Sequence, residues 1–310
     1  TASLRALLSL AWPMIISRST QTVVGLSDSL LVAHLGQDAL AATTTGAFNS
    51  FLVMIAPMGA TFIVSSFASQ LAGRGDSAGA RRYGFYGLAV ALLTQVVALL
   101  TLLPLDSLLG LLDYTPGVRA LMTSYMQLRL LSAGFAIGIE ALGAYYGGLG
   151  NTQRHMFVSI FAMVLNVALN WVLIDGHLGA PAMGVNGSAL ASTIAVTTSF
   201  LGFFALFMLE GRKVARTELK WAELVRVFRF GIPSGLNWLF EFLAFNIFIN
   251  VAIAGLGTTA LAAMMLCPQA WPTEGSASYS AQIERCSGPL PARATKAVGR
   301  SQTPKSTVKP

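Results

Sequence analysis

Long apolar segments dominate this 310-residue sequence, and the charged residues are confined to the short stretches between them. Hydrophobic residues make up 54% of the chain and charged residues only 11%. A soluble domain carries about 25% charge, and apolar runs of about 20 residues are long enough to cross a bilayer as helices. The alternating ten-residue strands typical of transmembrane barrels are not seen. The pattern predicts an all-α membrane protein, a polytopic helical bundle.

Seven segments are predicted to span the membrane: 6–35, 39–71, 83–103, 118–149, 156–174, 183–209 and 225–256. An eighth apolar segment, 258–266, is too short, because nine helical residues reach only about 13 Å. The connections after helices 2, 4 and 6 carry the basic residues, and the opposite connections carry mostly Asp. Because positive charge stays on the cytoplasmic side, we expect a multi-pass protein of the plasma (inner) membrane with a cytoplasmic amino terminus.

A sequence pattern occurs twice in these apolar segments. Pro13 precedes a Leu-Gly pair that begins at Leu35, and Pro233 precedes a second Leu-Gly pair that begins at Leu256. Ala-Leu-Ala-Ala follows closely after both pairs, at Ala39 and at Ala260. A repeat of this size in a membrane protein indicates two homologous helix bundles with a solute site between them. It also implies a complete protein of on the order of 440 residues.

The repeat predicts four parts of the chain. Residues 1–210 form a six-helix lobe, 211–224 a basic cytoplasmic linker, and 225–266 helix 7 and the start of helix 8 of a second lobe. Residues 267–310 hold six of the 12 prolines, six of the 20 basic residues and both cysteines. This tail has too little apolar surface to fold alone, and we interpret it as a frameshift product after a truncation or, alternatively, as a genuine disordered extension. Because much of the net charge of +7 lies in the tail, nucleic acid is not an expected partner.

Helix 1 carries its polar residues on one face. Arg18, Gln21, Gly25 and Asp28 recur at intervals of three or four residues, within a sector of about 80°. A polar stripe inside a membrane must face protein or water, and an ionisable residue there is a functional candidate. The structural alternative is that Asp28, like Glu241 in helix 7, pairs with Arg18 or an asparagine and locks helices together.

Polar residues also share faces in helices 5 and 7. Asn166 and Asn170 are one turn apart in helix 5, and Asn237 and Glu241 are one turn apart in helix 7. The asparagines could alternatively serve as interhelical hydrogen bonds, and a packing role for Glu140 in helix 4 is as plausible as a functional one. We predict a substrate or ion cavity lined by Gln21, Glu140, Asn166, Asn170 and Asn237.

Asp28 and Glu241 are the predicted cation- or proton-coupling residues. A carboxylate in a low-dielectric cavity can bind and release a proton, and together with amide and hydroxyl oxygens it can bind Na⁺. We expect both carboxylates to face a wet crevice between the two halves, where an organic cation competes with the ion. Neither a phosphate loop, nor a metal-ligand cluster, nor a cofactor motif is present. The histidines, which stand at helix ends, are expected at the membrane interface: His34, His155 and His177.

Several motifs resemble those of the multidrug and toxic compound extrusion (MATE) transporters. They are residues 13–36 with Gly-Leu-Ser-Asp-Ser, 146–152 (Tyr-Gly-Gly-Leu-Gly-Asn-Thr), 165–171 (Leu-Asn-Val-Ala-Leu-Asn-Trp) and 179–187. The resemblance covers about residues 4–266. It is nearest to the NorM-like branch, because Asn170 stands where another branch commonly has an aspartate.

The resemblance implies twelve helices in two lobes, a V-shaped cleft and alternating access. It implies a secondary antiporter that exports cationic or amphipathic drugs in exchange for Na⁺ or H⁺, with Asp28 and Glu241 matching the family's carboxylates in helices 1 and 7. Helices 9 to 12 are absent from this chain, so an inactive truncated fragment is an alternative. Another is a lipid-linked saccharide flippase, which would favour a cationic cleft. An enzyme is not expected, because no clustered His, Cys or Ser nucleophile is visible.

Overall fold

The computed structural model describes residues 4–110, 114–211 and 218–248, and the side chains of 8–110, 114–211 and 218–244. Helices account for most of these residues, and short turns connect them. In chain order the helices are α1 (Leu4–Ala33), α2 (Gln37–Gly73), α3 (Ser77–Leu102), α4 (Leu105–Leu109), α5 (Pro116–Leu130), α6 (Ala133–Gly148), α7 (Thr152–Asp175), α8 (Val185–Gly211) and α9 (Trp221–Phe248), with a short 3₁₀ turn at His177–Gly179.

Four of the described helices are individually long and apolar enough to cross a bilayer, namely α2, α3, α7 and α8. Helices α5 and α6 meet the same criteria of length and composition when they are taken together. Helices α1 and α9 are of similar length, with 30 and 28 residues, but carry ionisable residues along their length. Large apolar side chains such as Leu92 and Phe157 are exposed on the outside of the bundle, as contact with lipid requires. The prediction of a polytopic helical membrane protein is confirmed.

The segment predicted as one helix over 118–149 is bent by 46° between α5 and α6. The bend leaves backbone groups without helical partners, and the side chain of Gln95 in α3 binds two of them. Its Nε2 donates to the Leu130 carbonyl (3.2 Å), and its Oε1 accepts from the Gly134 N–H (2.8 Å). Because every backbone polar group inside a membrane needs a partner, Gln95 stabilises the broken span. The prediction of a single continuous helix was wrong at this point.

Two clusters of buried apolar side chains lie at opposite ends of the bundle formed by α1 to α8. One surrounds Val64, Leu142 and Phe207, where α2 and α8 end and α3 begins. The other surrounds Met122 and Ile174, where α1 and α7 end and α8 begins. The polar residues of α1 and α7 described below lie between these clusters or beside them.

Helix α9 packs along α2 through small residues. A Cβ atom on Gly59 would lie 2.9 Å from the Cα of Gly235, so the two backbones touch where these glycines meet. The Ser234 hydroxyl donates to the Gly59 carbonyl (3.0 Å) at the same crossing. Small residues at a helix crossing permit the close backbone approach by which membrane helices associate. Helix α9, the first helix of the predicted second repeat, therefore packs closely against α2, the second helix of the first repeat.

A half-buried ion pair joins the beginning of α9 to α3. Arg82 donates two hydrogen bonds to Glu223, from Nε to Oε2 (2.9 Å) and from Nη2 to Oε1 (3.0 Å). The Tyr86 hydroxyl lies 3.0 Å from Glu223 Oε2 and accepts a hydrogen bond from the Lys220 N–H (2.8 Å). The Arg82 and Glu223 side chains are only 12% and 17% exposed, so this bidentate contact is well shielded from solvent.

Several predictions lie wholly or partly outside the described residues. They concern the eighth apolar segment over 258–266, the end of helix 7, the tail over 267–310 with Cys267 and Cys286, and part of the linker over 211–224. Helix α8 ends at Gly211, and α9 begins at Trp221 rather than near residue 225. The division into a six-helix lobe, a linker and a second lobe stays a prediction.

Candidate functional site

Asp28 lies in the interior of the bundle, where it is bonded to side chains of two other helices. It is 8% exposed. Asn170 of α7 donates a short hydrogen bond from Nδ2 to Asp28 Oδ1, and the Ser192 hydroxyl of α8 lies 3.4 Å from Oδ2. The carboxylate therefore joins α1, α7 and α8 at one point.

Asn166 extends this network by one helical turn. Its Nδ2 donates to the Ser192 hydroxyl (2.9 Å), and its Oδ1 accepts from Asn170 Nδ2 (3.1 Å). Asn166 and Asn170 are both buried, and their spacing of four residues places them on one face of α7. Asp28, Asn166, Asn170 and Ser192 form the group that we call the Asp28 network.

The Asp28 network is rich in oxygen atoms. Asn170 Oδ1 and the hydroxyl of Ser188, one turn before Ser192, are buried and have no hydrogen-bond partner among the described residues. Hard cations prefer carboxylate, carbonyl and hydroxyl oxygens. The half-buried guanidinium of Arg129 lies within electrostatic range of Asp28 but is not bonded to it. The Asp28 network thus gathers carboxylate, amide and hydroxyl oxygens around one buried acid.

A second polar cluster surrounds Glu140 of α6. Arg18 Nη2 lies 3.3 Å from Glu140 Oε2, and Gln21 Nε2 donates to Oε1 (3.0 Å). His155 Nε2 of α7 lies 4.0 Å from the same Oε1. Both Glu140 and His155 have side chains only 14% exposed. We call Arg18, Gln21, Glu140 and His155 the Glu140 cluster.

The polar stripe of helix 1 is thus divided between two partners. Arg18 and Gln21 contact Glu140, whereas Asp28 contacts Asn170 and Ser192. The alternative in which Arg18 pairs with Asp28 was wrong, and pairing with an asparagine was right. His155, which was expected at the membrane interface, points into the bundle beside Glu140 and is partly buried. His34 is exposed, and His177 is partly exposed.

The structure does not bring Glu241 together with Asp28. Asn237 and Glu241 are exposed on α9, and Asp28 is enclosed by helices of the first repeat. The expected crevice lined by both carboxylates is therefore not formed by the described residues. Trp238, which lies between Asn237 and Glu241 in sequence, reaches a different feature, a cavity of about 70 Å³. That cavity is lined by α1, α2, α6, α7 and Trp238, and includes Arg18, Glu140 and His155.

Sequence reasoning missed the contribution of α8 to the site. Ser188 and Ser192 are four residues apart, so they lie on one face of the helix, and both are buried. A polar face in an otherwise apolar segment is the same signal that identified Asn166 and Asn170. That spacing was therefore sufficient to find Ser192.

The fold and the site define a polytopic helical membrane protein with buried carboxylates and amides, and comparison with known proteins identifies the family. The MatE family model matches residues 13–172, so the chain belongs to the MatE (MATE) family. The chain is 30% identical to a "Probable multidrug resistance protein NorM" of Neisseria meningitidis serogroup A / serotype 4A, over 84% of this chain. It spans 58% of that relative's length.

Solved structures give the same relationship. An outward-facing multidrug resistance MATE family transporter of the MOP superfamily has a TM-score of 0.75 at 25% identity, covering 85% of this chain and 59% of the other. An inward-facing structure described in the same words has a TM-score of 0.62 at 25% identity, covering 84% of this chain and 60% of the other. The described helices therefore have the MATE fold over little more than half of such a transporter.

Proposed function

We propose that the protein to which this chain belongs is a secondary antiporter that exports cationic or amphipathic drugs in exchange for Na⁺ or H⁺. It acts in the plasma (inner) membrane, with its amino terminus in the cytoplasm, and it performs no enzymatic reaction. The observation that carries this proposal is the Asp28 network, a buried carboxylate surrounded by amide and hydroxyl oxygens. The drug-resistance names of the relatives support the substrate class.

The first argument concerns the energy of a buried charge. An ionised carboxylate inside a membrane protein is strongly disfavoured unless a cation or a proton compensates it. The direct partners of Asp28 are neutral, namely an asparagine amide and a serine hydroxyl. These groups orient the carboxylate without neutralising it, and Arg129 offers no direct bond. A mobile cation or proton is the group that such a site lacks.

The second argument concerns coupling. Asp28 connects α1 to α7 and α8, so binding of an ion there changes the interactions between three helices. A ligand shifts a conformational equilibrium only through different affinities for the two states. Ion binding that tightens the Asp28 network would therefore bias one access state over the other, and release would reverse the bias.

We assign the substrate-binding residues to α9 and to the surface of the bundle that α9 faces. Asn237 and Glu241 are exposed there, and Trp238 contributes an aromatic ring 6.3 Å from that of Phe62. An acidic side chain beside aromatic rings is suited to a lipophilic organic cation. In this assignment Gln21 and Glu140 belong to the same cavity system, and Glu241 attracts the positive charge of the drug.

Export of ethidium, a fluorescent organic cation, tests the proposal in cells that produce the full-length protein. Wild type should lower the ethidium content, and Asp28→Asn should abolish export without lowering the amount of protein in the membrane. Glu241→Gln should weaken export. Asp38→Asn is the matched control, because Asp38 is exposed in the first turn of α2. Equal export by wild type and Asp28→Asn would refute the role of Asp28, and no export by wild type would refute the function.

A further inference from the structure

The Glu140 cluster contains an ionisable group that the proposed Asp28 site does not use. His155 lies near the beginning of α7, and its ring packs against Gly143 of α6, where even a Cβ atom would come 2.6 Å from the ring. The Phe203 ring of α8 is stacked near the His155 ring, with the ring centroids 6.5 Å apart. His155 is therefore held in a defined position beside Glu140.

The charged groups that face His155 come from two helices. Helix α6 contributes Glu140, whose Oε1 lies 4.0 Å from His155 Nε2, and α1 contributes Arg18, which binds the other oxygen of Glu140. The adjacent Arg154 is paired with Glu210 and lies over the ring of Tyr146, so its charge is engaged elsewhere.

The other elements around the cavity contribute no charge among the described residues. Helix α2 supplies hydroxyl and apolar side chains such as Thr61 and Ser65, α8 supplies the Phe203 ring, and α9 supplies Trp238. With neutral His155, the charges of Arg18 and Glu140 cancel. When His155 binds a proton, the cavity gains one positive charge.

We propose that His155 and Glu140 form a second proton-binding site, separate from Asp28, and that its proton and an organic cation exclude each other from this cavity. The distance of 4.0 Å is longer than a hydrogen bond, and a small movement of either side chain would let His155 Nε2–H donate to Glu140. The site is about 15 Å from Asp28 along α1, since ten helical residues separate Arg18 from Asp28.

The exclusion follows from the charge of the cavity. A lipophilic cation that enters beside Trp238 and Phe62 meets a neutral ion pair when His155 is neutral and a net positive charge when it is protonated. Like charges in a low-dielectric site repel strongly. By linkage, each ligand must weaken the other by the same factor, which we expect to be about tenfold. This inference rests on the proposed function for the identity of the organic cation.

Binding of tetraphenylphosphonium to the purified full-length protein, measured at about pH 5 and about pH 8, tests this proposal across the range where histidine titrates. For wild type we expect an affinity about threefold or more weaker at the lower pH. His155→Gln should remove most of this pH dependence. Glu140→Gln leaves the charge of Arg18 unpaired beside His155, so it should disfavour protonation of His155, reduce the pH dependence and weaken cation binding at both pH values. His177→Gln is the matched control, because this partly exposed histidine is bonded to the Trp171 carbonyl and lies outside the cavity.

Asp28→Asn separates this inference from the proposed function. It should lose ion-driven transport and keep the pH dependence of tetraphenylphosphonium binding. The inference would be overturned if His155→Gln kept the pH dependence of wild type. It would also be overturned if Asp28→Asn lost the pH dependence, because the proton would then bind at Asp28. Absence of binding to wild type at either pH would overturn the inference together with the assigned substrate class.

Discussion

Asn170 donates a hydrogen bond to Asp28 across 142 residues of sequence, and both side chains are buried between α1 and α7. The same Asn170 amide also reaches Asn166, and Asn166 reaches Ser192. One buried carboxylate thus fixes the mutual positions of three helices. Under the proposed function, the stability of the bundle and the binding of an ion at Asp28 should therefore be linked.

Replacement of Asn170 by alanine tests that link. The substitution removes the shortest contact of a buried carboxylate, and we expect it to lower the free energy of unfolding in detergent by about 1–3 kcal/mol. Ion-driven transport should fall as well, because Asp28 loses the group that orients it. Asn151→Ala is the control, since Asn151 precedes α7 and makes no side-chain capping hydrogen bond. Equal stability of the two variants would contradict the role of Asn170.

A double-mutant cycle tests the ion pair of Arg82 with Glu223. Because the contact is bidentate and mostly shielded, we expect a coupling energy of about 1–3 kcal/mol between Arg82→Ala and Glu223→Ala in denaturant unfolding. The comparison cycle uses Arg119 and Asp106, which are 3.2 Å apart with Asp106 75% exposed. An exposed pair of this kind contributes about 0.2–1 kcal/mol. A smaller coupling for Arg82 and Glu223 than for the exposed pair would contradict the expectation.

The close crossing of α2 and α9 predicts that Gly235 tolerates no side chain. A Cβ atom there would meet the Ala56 carbonyl oxygen well inside van der Waals contact, so Gly235→Ala should push the helices apart. We expect a loss of about 1–3 kcal/mol in unfolding free energy, as in other overpacked interiors. Gly202→Ala in α8 is the control, because no heavy atom lies within 4 Å of its Cβ position. That control should be neutral or up to about 1 kcal/mol more stable, and an equal loss in both variants would exclude overpacking.

Much of the helical architecture could be predicted from the sequence, because apolar length alone determines which segments can cross a bilayer. The bend between α5 and α6 could not, since its stabilising partner is the side chain of Gln95 on another helix. No local signal in residues 131–134 specifies where that side chain lies. The prediction of one continuous helix failed because tertiary hydrogen bonds override local preference.

Only part of the candidate site could be predicted from the sequence, because contacts between helices decide which polar residues meet. Helical spacing correctly placed Asn166 and Asn170 on one face, but spacing cannot say which helix that face meets. In the structure, Asp28 is hydrogen-bonded to side chains of α7 and α8, and Arg18 is hydrogen-bonded to Glu140. His155 stands near a helix end in the sequence, which suggested the interface, and its packing against Gly143 beside Glu140 was not foreseen. Predicting such pairings requires the arrangement of the helices, which one sequence does not supply.

Ion-driven uptake of tetraphenylphosphonium into liposomes containing the full-length protein tests most directly whether Asp28 couples an ion to transport. Imposed Na⁺ and H⁺ gradients are compared for wild type, Asp28→Asn and the control Asp38→Asn. We predict that one gradient drives uptake by wild type and Asp38→Asn, and that Asp28→Asn lowers this component by about tenfold or more, because an amide carries no charge for the ion. Equal gradient-driven uptake by Asp28→Asn and wild type would contradict the account.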